Sequence, residues 1–476
     1  MFNSVKDVLK FCEENSIRMI DFKMIDLDGR WRHITIPVER FNEDTMKFGI
    51  GFDASNYSYA PVEKSDMVFI PELSTAMVDP FCEVPTLSML GDAMVIDKEA
   101  NRPFDQYPRN VLKAANEFMK ATGIADSMLI GPEFEFYLFD NMWYGVETNR
   151  SYYEIDSKQA LWNSDKDPDS KGYQVHPKKG YHISQPADLS QDIRSRMCML
   201  LAEAGIDVKY HHHEVGGSGQ LEIEVELGDV VKMADHTMNI KYIIKNQAIL
   251  EGKTATFLPK PLHGEAGSGM HVHMLLKKDN KPIFYDPNGY AQLSETAHYF
   301  IGGLLKHAAS ICAFANPTTN SFKRLIPGFE APVTIGYATA NRSAVVRIPS
   351  YAKSPDLKRF ELRNPDATCN PYYTYAAILM AGLDGIKNKI DPSKNGWGPY
   401  DFNLYTLPDE EKAKIDSLPT NIYQALDALE KDHDYLTAGG VFPKRLIEIW
   451  INKKRKEAEE IDKIPHPAEF AKYFDI

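Results

Sequence analysis

Residues 131–140 read GPEFEFYLFD, with Glu133 and Glu135 alternating with Phe134 and Phe136. Successive side chains of a β-strand point to opposite faces, so this spacing sends the phenylalanines to a core and gathers the two carboxylates on the other side. The same device recurs. QLEIEVEL at 220–227 sets Glu222, Glu224 and Glu226 opposite Leu221, Ile223, Val225 and Leu227. GMHVHMLL at 269–276 sets His271 and His273 opposite Met270, Val272 and Met274, and RFELR at 359–363 aligns Arg359, Glu361 and Arg363. Any one of these would equally suit a half-exposed strand with a solvated polar face. Four together need another cause, because carboxylates on neighbouring strands repel and such a cluster is commonly held by a divalent cation or an arginine network. Oxygen-rich donors with an occasional imidazole suit Mg²⁺ or Mn²⁺ better than Zn²⁺. In HHHE at 211–214 only His212 and Glu214 share a face with Tyr210, and a histidine there reads first as structural.

Cations accompany the acids. Arg324, Arg342, Arg347, Arg359 and Arg363 are five arginines within residues 324–363, and beside an acidic site they point to a polyphosphate whose charge is shared between metals and guanidinium groups. Two apparent nucleotide motifs fail on context. GIGFDA at 49–54 has no helix signal after it, and EGKT at 251–254 ends a helix where a phosphate loop would open one. Chemistry alone therefore reaches a two-metal phosphoryl-transfer enzyme or hydrolase.

These residues require a frame. Up to about residue 105, short apolar runs (MIDFKMIDL, RHITIP, DMVFIPEL) between turn residues predict a small strand-rich domain. PRNVLKAANEFMKATG then predicts a helix, with Pro108 near its start and Gly123 as its stop, which places a domain boundary between 1–107 and 108–476. Beyond Gly131 strands alternate with helices, DIRSRMCMLLAEAG and VVKMADHTMNIKYIIKNQAIL among them, and the polar stretch 141–180 reads as a long surface excursion.

Composition excludes several classes. A 476-residue chain with 43% hydrophobic content exceeds one compact core, and a net charge of -13 disfavours nucleic acid, whose binding draws on Lys and Arg. The run KKRK at 453–456 reads as a solvated helix face. Five scattered cysteines without a CxxC pair suit reduced thiols, and neither a signal core nor an apolar span is present, so the expected location is the cytoplasm, away from membranes.

Over essentially its whole length the chain resembles glutamine synthetase of the bacterial type I class. The resemblance is carried by FDAS (52–55), GPEFEF (131–136), HHHEVGGSGQLE (211–222), KPLHGEAGSGMHVH (260–273), NSFKRLIPGFEAPV (320–333), NRSAVVRIP (341–349) and FELRNPD (360–366), with AGGVFP and PHPAEF near the end. It implies an α+β fold: a small N-terminal β-grasp-like domain and a large C-terminal catalytic domain whose curved antiparallel sheet forms an active-site funnel, helices outside. It implies ATP as substrate and two cations, Mg²⁺ or Mn²⁺, one on Glu135, Glu214 and Glu222 and the other on Glu133, His271 and Glu361. Carried over by motif position, His273, Arg347 and Arg359 would serve ATP, with Arg342 also at the phosphates and Arg363 near the transferred group. Arg324 would take the α-carboxylate of glutamate and the backbone at Gly267 its amino group. Glu330, on a flap, would shield the intermediate and accept a proton. Asp53, reaching in from a neighbouring subunit, would bind and deprotonate ammonium with help from Tyr181. Such sharing requires a homo-oligomer, for this family a dodecamer of two stacked six-membered rings. The insertion at 141–180 resembles the subgroup switched off by an adenylyltransferase, with Tyr405 as the modified residue.

Two departures from the family pattern stand out. The usual Asp-Gly-Ser-Ser latch reads Asp53-Ala54-Ser55-Asn56, and the asparagine expected before Gly267 is Ala266. The nearest alternative is a ligase of the same fold that uses a bulkier amine, against which Asp53 and Tyr181 argue. A non-catalytic relative is the other, against which the intact ligand and arginine sets argue.

Overall fold

The structure is a computed structural model and describes residues 2–59, 65–97, 101–164, 170–326, 331–339, 341–402, 407–408, 410, 415–464 and 468–476. Glu330 and Tyr405 lie outside the described residues.

The short apolar runs before residue 104 become two four-stranded sheets. One contains Met19–Ile25, Trp31–Pro37, Met77–Val78 and Thr86–Met89, and the other Ile50–Asp53, Asp66–Pro71, Gly91–Val95 and Arg102–Pro103. A helix, Val5–Glu14, precedes them; Ser4 caps it by accepting from the Asp7 N–H, and Val5, Val8 and Cys12 form its buried face.

The larger unit is built on a ten-stranded sheet. Its main strands are β1 (Ser127–Phe139), β2 (Val208–His213), β3 (Gln220–Val225), β4 (Val272–Lys278), β5 (Thr334–Ala338), β6 (Ala344–Arg347) and β7 (Phe360–Leu362), in the order β2-β3-β1-β4-β7-β6-β5. Every neighbouring pair on this path is antiparallel except β5 and β6, which run parallel. The expected antiparallel sheet thus carries one parallel pair at its edge.

Helices cover the apolar face. They include α1 (Pro108–Thr122), α2 (Gln191–Glu203), α3 (Val230–Leu250), α4 (Glu295–Lys306) and α5 (Pro371–Lys387). Pro108 opens α1 as the sequence predicts, and Gly123 ends it at φ 70°, a left-handed conformation that glycine adopts without steric cost. Asp229 caps α3 and Asn370 caps α5. Asn370 does double duty: its side-chain amide also donates to the carbonyls of Asp26 and Leu27, tying the catalytic unit to the first sheet. The stretch 141–180 is not irregular throughout, because Asn141–Val146 and Ser151–Asp156 pair as an antiparallel ribbon. The basic run at 453–456 lies within the helix Lys444–Asp462, but Lys454 is buried and paired with Asp28 at 3.1 Å, so only part of that face is solvated.

One ion cluster makes the helical layer sensitive to pH. His307, at the end of α4, is buried between Asp384 of α5 (2.9 Å) and Asp432 (2.7 Å). Burial works against the imidazolium, but the two carboxylates outweigh it and raise the pKa. A raised pKa gives stability that is complete below the unfolded value of about 6.5 and is lost as pH rises through the folded value. Melting temperatures across pH 5 to 9 should therefore fall on the alkaline side in the wild-type protein, and His307→Asn should flatten that fall. Parallel pH profiles for the two proteins would refute this account.

Candidate active site

The sheet separates the phenylalanine rings of residues 133–136 from the two carboxylates of that stretch. Phe134 and Phe136 are fully buried on the helix side, where Phe136 packs against Phe257 at 5.6 Å between ring centres. Glu133 and Glu135 face the other way, into a cavity of about 190 Å³. Strand register then concentrates charge: Glu222 of β3 lies directly opposite Glu135, and Glu224 directly opposite Glu133. Like charges in facing positions destabilise a sheet, so this register calls for compensating cations.

Compensation is visible for some of the acids. His271 Nδ1 lies 2.7 Å and His273 Nε2 2.8 Å from the Glu133 carboxylate. Burial alone would raise the Glu133 pKa, but these imidazole contacts hold it well below the usual carboxylate range. Glu361 receives Arg363 at 2.6 Å and Arg347 at 2.9 Å, with His273 at 3.1 Å. Glu222 has the opposite fate. Burial and the neighbouring Glu133 and Glu135 push its pKa far upward. Glu135, Glu214 and Glu222 each offer an oxygen within 4.8 Å of the others. Three converging buried carboxylates, the pKa of one of them raised by burial and by its acidic neighbours, suit a divalent cation, whose charge would reverse that penalty.

The cavity is also lined by cations. Arg324, Arg342, Arg347 and Arg363 line the same cavity as the glutamates. Arg324 is buried and held by backbone carbonyls, its guanidinium donating to Asn364 (2.8 Å) and Arg363 (3.0 Å). Burial lowers its pKa, although a guanidinium stays charged. Gly267 is tightly enclosed: a Cβ there would sit 2.7 Å from the Pro259 carbonyl and 2.8 Å from Arg324 Cγ. Gln220 donates to the Gly267 carbonyl at 2.9 Å, and Glu135 accepts the Gly269 N–H at 2.7 Å, so the metal-side carboxylate also shapes this loop. Ala266 lines the cavity, and its carbonyl accepts from the Tyr137 hydroxyl.

The other described residues expected at the site, Asp53 apart, lie at the cavity mouth or around the cavity. Tyr181 lines the cavity at its mouth, 46% exposed and stacked on His182. Arg359 is buried near the Tyr351 ring, outside the cavity lining. His273, expected at ATP, is buried among Glu133 and Glu361. Asp53 is exposed in the N-terminal unit, with Ser55 and Asn56 as its local partners, and does not line the cavity of its own chain. Glu224, Lys209 and Tyr351 also gather beside these acids, Glu224 opposite Glu133 and Lys209 between Glu224 and the Tyr351 ring. Period-2 alternation from Glu222 marks Glu224, whereas nothing in the sequence marks Lys209, because its partner lies on another strand.

A cavity that joins clustered carboxylates to arginines has its match at the level of the whole chain. The model of the glutamine synthetase catalytic domain matches residues 105–473, and that of the glutamine synthetase beta-grasp domain residues 16–96. The chain belongs to the glutamine synthetase family. A glutamine synthetase of Frankia alni is 45% identical over all of both chains. A protein of Cupriavidus pinatubonensis named 3-hydroxylaminophenol mutase is 42% identical, also over all of both. A cryo-EM structure of Plasmodium falciparum glutamine synthetase superposes with a TM-score of 0.86 at 30% identity, covering 99% of each chain. The chain is accordingly a glutamate–ammonia ligase with an N-terminal β-grasp domain, and it uses ATP and divalent cations. The family is oligomeric, and among the described residues no helix is long and apolar enough to cross a membrane.

Proposed function

We propose that glutamate and ATP meet in this charged cavity, and that the γ-carboxylate of glutamate is phosphorylated there before ammonia attacks it. The observation that carries this assignment is the shared cavity, lined by Glu133, Glu135, Glu214 and Glu222 together with Arg324, Arg342, Arg347 and Arg363. A carboxylate is a poor electrophile and ammonium no nucleophile, so each must be activated away from water. Divalent cations held by the glutamates would neutralise phosphate oxygens during transfer. Arg324 would hold the glutamate α-carboxylate, with the Gly267 backbone at its amino group. Arg342 and Arg363 would steady the transferring phosphoryl group, and Arg347, Arg359 and His273 the nucleotide side. Glu330 would close over the intermediate.

Asp53 and Tyr181 would bind ammonium and take its proton. Because Asp53 is absent from its own chain's cavity lining, it would act on a neighbouring subunit, which fits a dodecamer of stacked hexameric rings. Residues 1–107 and 108–476 would be the two domains, the protein would work in the cytoplasm, and Tyr405 would be the adenylylation target. Intact mass after incubation with an adenylyltransferase tests the last point.

The central experiment is phosphate release from ATP with Mg²⁺ and glutamate, with and without ammonium, scoring glutamine directly. Ammonium-dependent release matched one-to-one by glutamine is expected. Release that needs a bulkier amine, or none at all, would overturn the assignment of the ammonium corner, and an amine panel would locate the true acceptor.

A further inference from the structure

The second acidic group contains a member that the family ligand set does not include. Glu133, Glu224 and His273 each offer a ligand atom within 4.8 Å of the others. Glu224 is only 2% exposed and His273 only 1%. Glu224 lies directly opposite Glu133 across β3 and β1, and its Oε1 is 4.0 Å from His273 Nε2. Lys209 reaches in and donates to that Oε1 at 2.6 Å. The other oxygen, Oε2, is buried and takes no hydrogen bond, and His273 Nδ1 is likewise buried without one. A carboxylate oxygen shielded from water and left unbonded costs free energy, and its position opposite a second carboxylate adds to that cost. Lys209, with Tyr210 opposite Glu224 across the strand pair, answers only part of it, since Oε2 stays unbonded.

We propose that Glu224 is a ligand of the second cation, beside Glu133, and that Lys209 is its stand-in, occupying this carboxylate until metal binds. The inference rests on the two-cation reading above and adds a residue and a competitor to it. Lys209 is suited to leaving. Its side chain is 25% exposed, and its ammonium already lies 4.9 Å from the Tyr210 ring and 5.8 Å from that of Tyr351. Those ring faces could keep the displaced charge at the cavity mouth, since Tyr210 and Tyr351 both line it. A lysine that only stabilised the sheet would have no reason to compete with metal. A stand-in must.

Titration of the metal-stripped, full-length protein with Mn²⁺, following free Mn²⁺ by electron paramagnetic resonance, decides the matter without recourse to turnover. The wild-type protein should bind two ions per subunit. Glu224→Gln should weaken one of them by about tenfold or more and leave the other, whose ligands are Glu135, Glu214 and Glu222, unchanged. Lys209→Met should tighten the same ion that Glu224→Gln weakens, which keeps the test alive if the glutamine variant folds poorly. Two ions of unaltered affinity in both variants would overturn the role of Glu224 and Lys209 while leaving the two-cation site standing. A wild-type protein that binds fewer than two would overturn both.

Discussion

Glu135→Gln should abolish one Mn²⁺ equivalent per subunit and lower glutamine formation by about three orders of magnitude. The size follows from the several kcal/mol that a correctly placed cation contributes to charge stabilisation, at about 1.4 kcal/mol per tenfold in rate. Glutamine is the informative substitution because it preserves shape. Its carbonyl can still accept the Gly269 N–H that Glu135 now accepts at 2.7 Å, so the glycine loop beside Arg324 keeps its support. What disappears is one negative charge from the trio with Glu214 and Glu222. Relief of repulsion should also let Glu222 ionise more readily, because burial and the charges of Glu133 and Glu135 are what raise its pKa. Isothermal titration with Mn²⁺ and a glutamine assay on the same preparation check both halves. Full metal stoichiometry with turnover near wild type would remove Glu135 from the ligand set.

The second large effect is on stability. Arg109, at the start of α1, is 3% exposed and grips Asp235 of α3 with two hydrogen bonds of 3.0 Å. Its remaining nitrogen donates to Glu72 and Asp92 of the N-terminal unit, each at 2.7 Å. One guanidinium thus pins both N-terminal carboxylates to the catalytic unit. Arg109→Met should cost about 3–5 kcal/mol, because it leaves Asp235 buried without its counter-charge. Glu72 and Asp92 lose less, since Lys113 also reaches them. Burial already raises the Asp235 pKa despite Arg109, and Tyr372 donates to it at 2.7 Å, so that acid has little further support once the arginine is gone. Replacing Asp235 with leucine in the same chain should recover most of the loss, as removal of a whole buried pair is far less harmful than removal of half. Urea denaturation of the wild-type, single and double variants measures this. A single variant as stable as the wild type, or a double variant no better than the single, would show that the pin is not what joins the two units.

Much of this site was legible in one dimension because a strand has period 2. Glu133 and Glu135 could be assigned to one face, and Phe134 and Phe136 to the other, from their spacing alone. Pro108 and Gly123 likewise delimited a helix through their own backbone preferences. The alternation 222, 224, 226 is where this reasoning stopped, since it ranked the three glutamates alike. The fold separates them. Glu222 and Glu224 are buried opposite Glu135 and Glu133, while Glu226, just past the end of β3, is exposed. A ribbon inside 141–180 and the parallel pairing of β5 with β6 escaped for a related reason: pairing partners and direction are properties of two segments at once.

The amino-acid sequence by itself determined which side chains could do chemistry, which face of each strand they occupied, and the family to which their motifs correspond. Only the tertiary structure decided which of them meet. It brought Lys209 to Glu224, set Arg363 and Arg347 on Glu361, and placed Arg359 beside the Tyr351 ring, outside the cavity lining. The physical reason is that facing direction follows from local backbone geometry, whereas charge compensation depends on register between strands far apart in sequence. The cost of burying each carboxylate is settled by whichever cation that register places beside it.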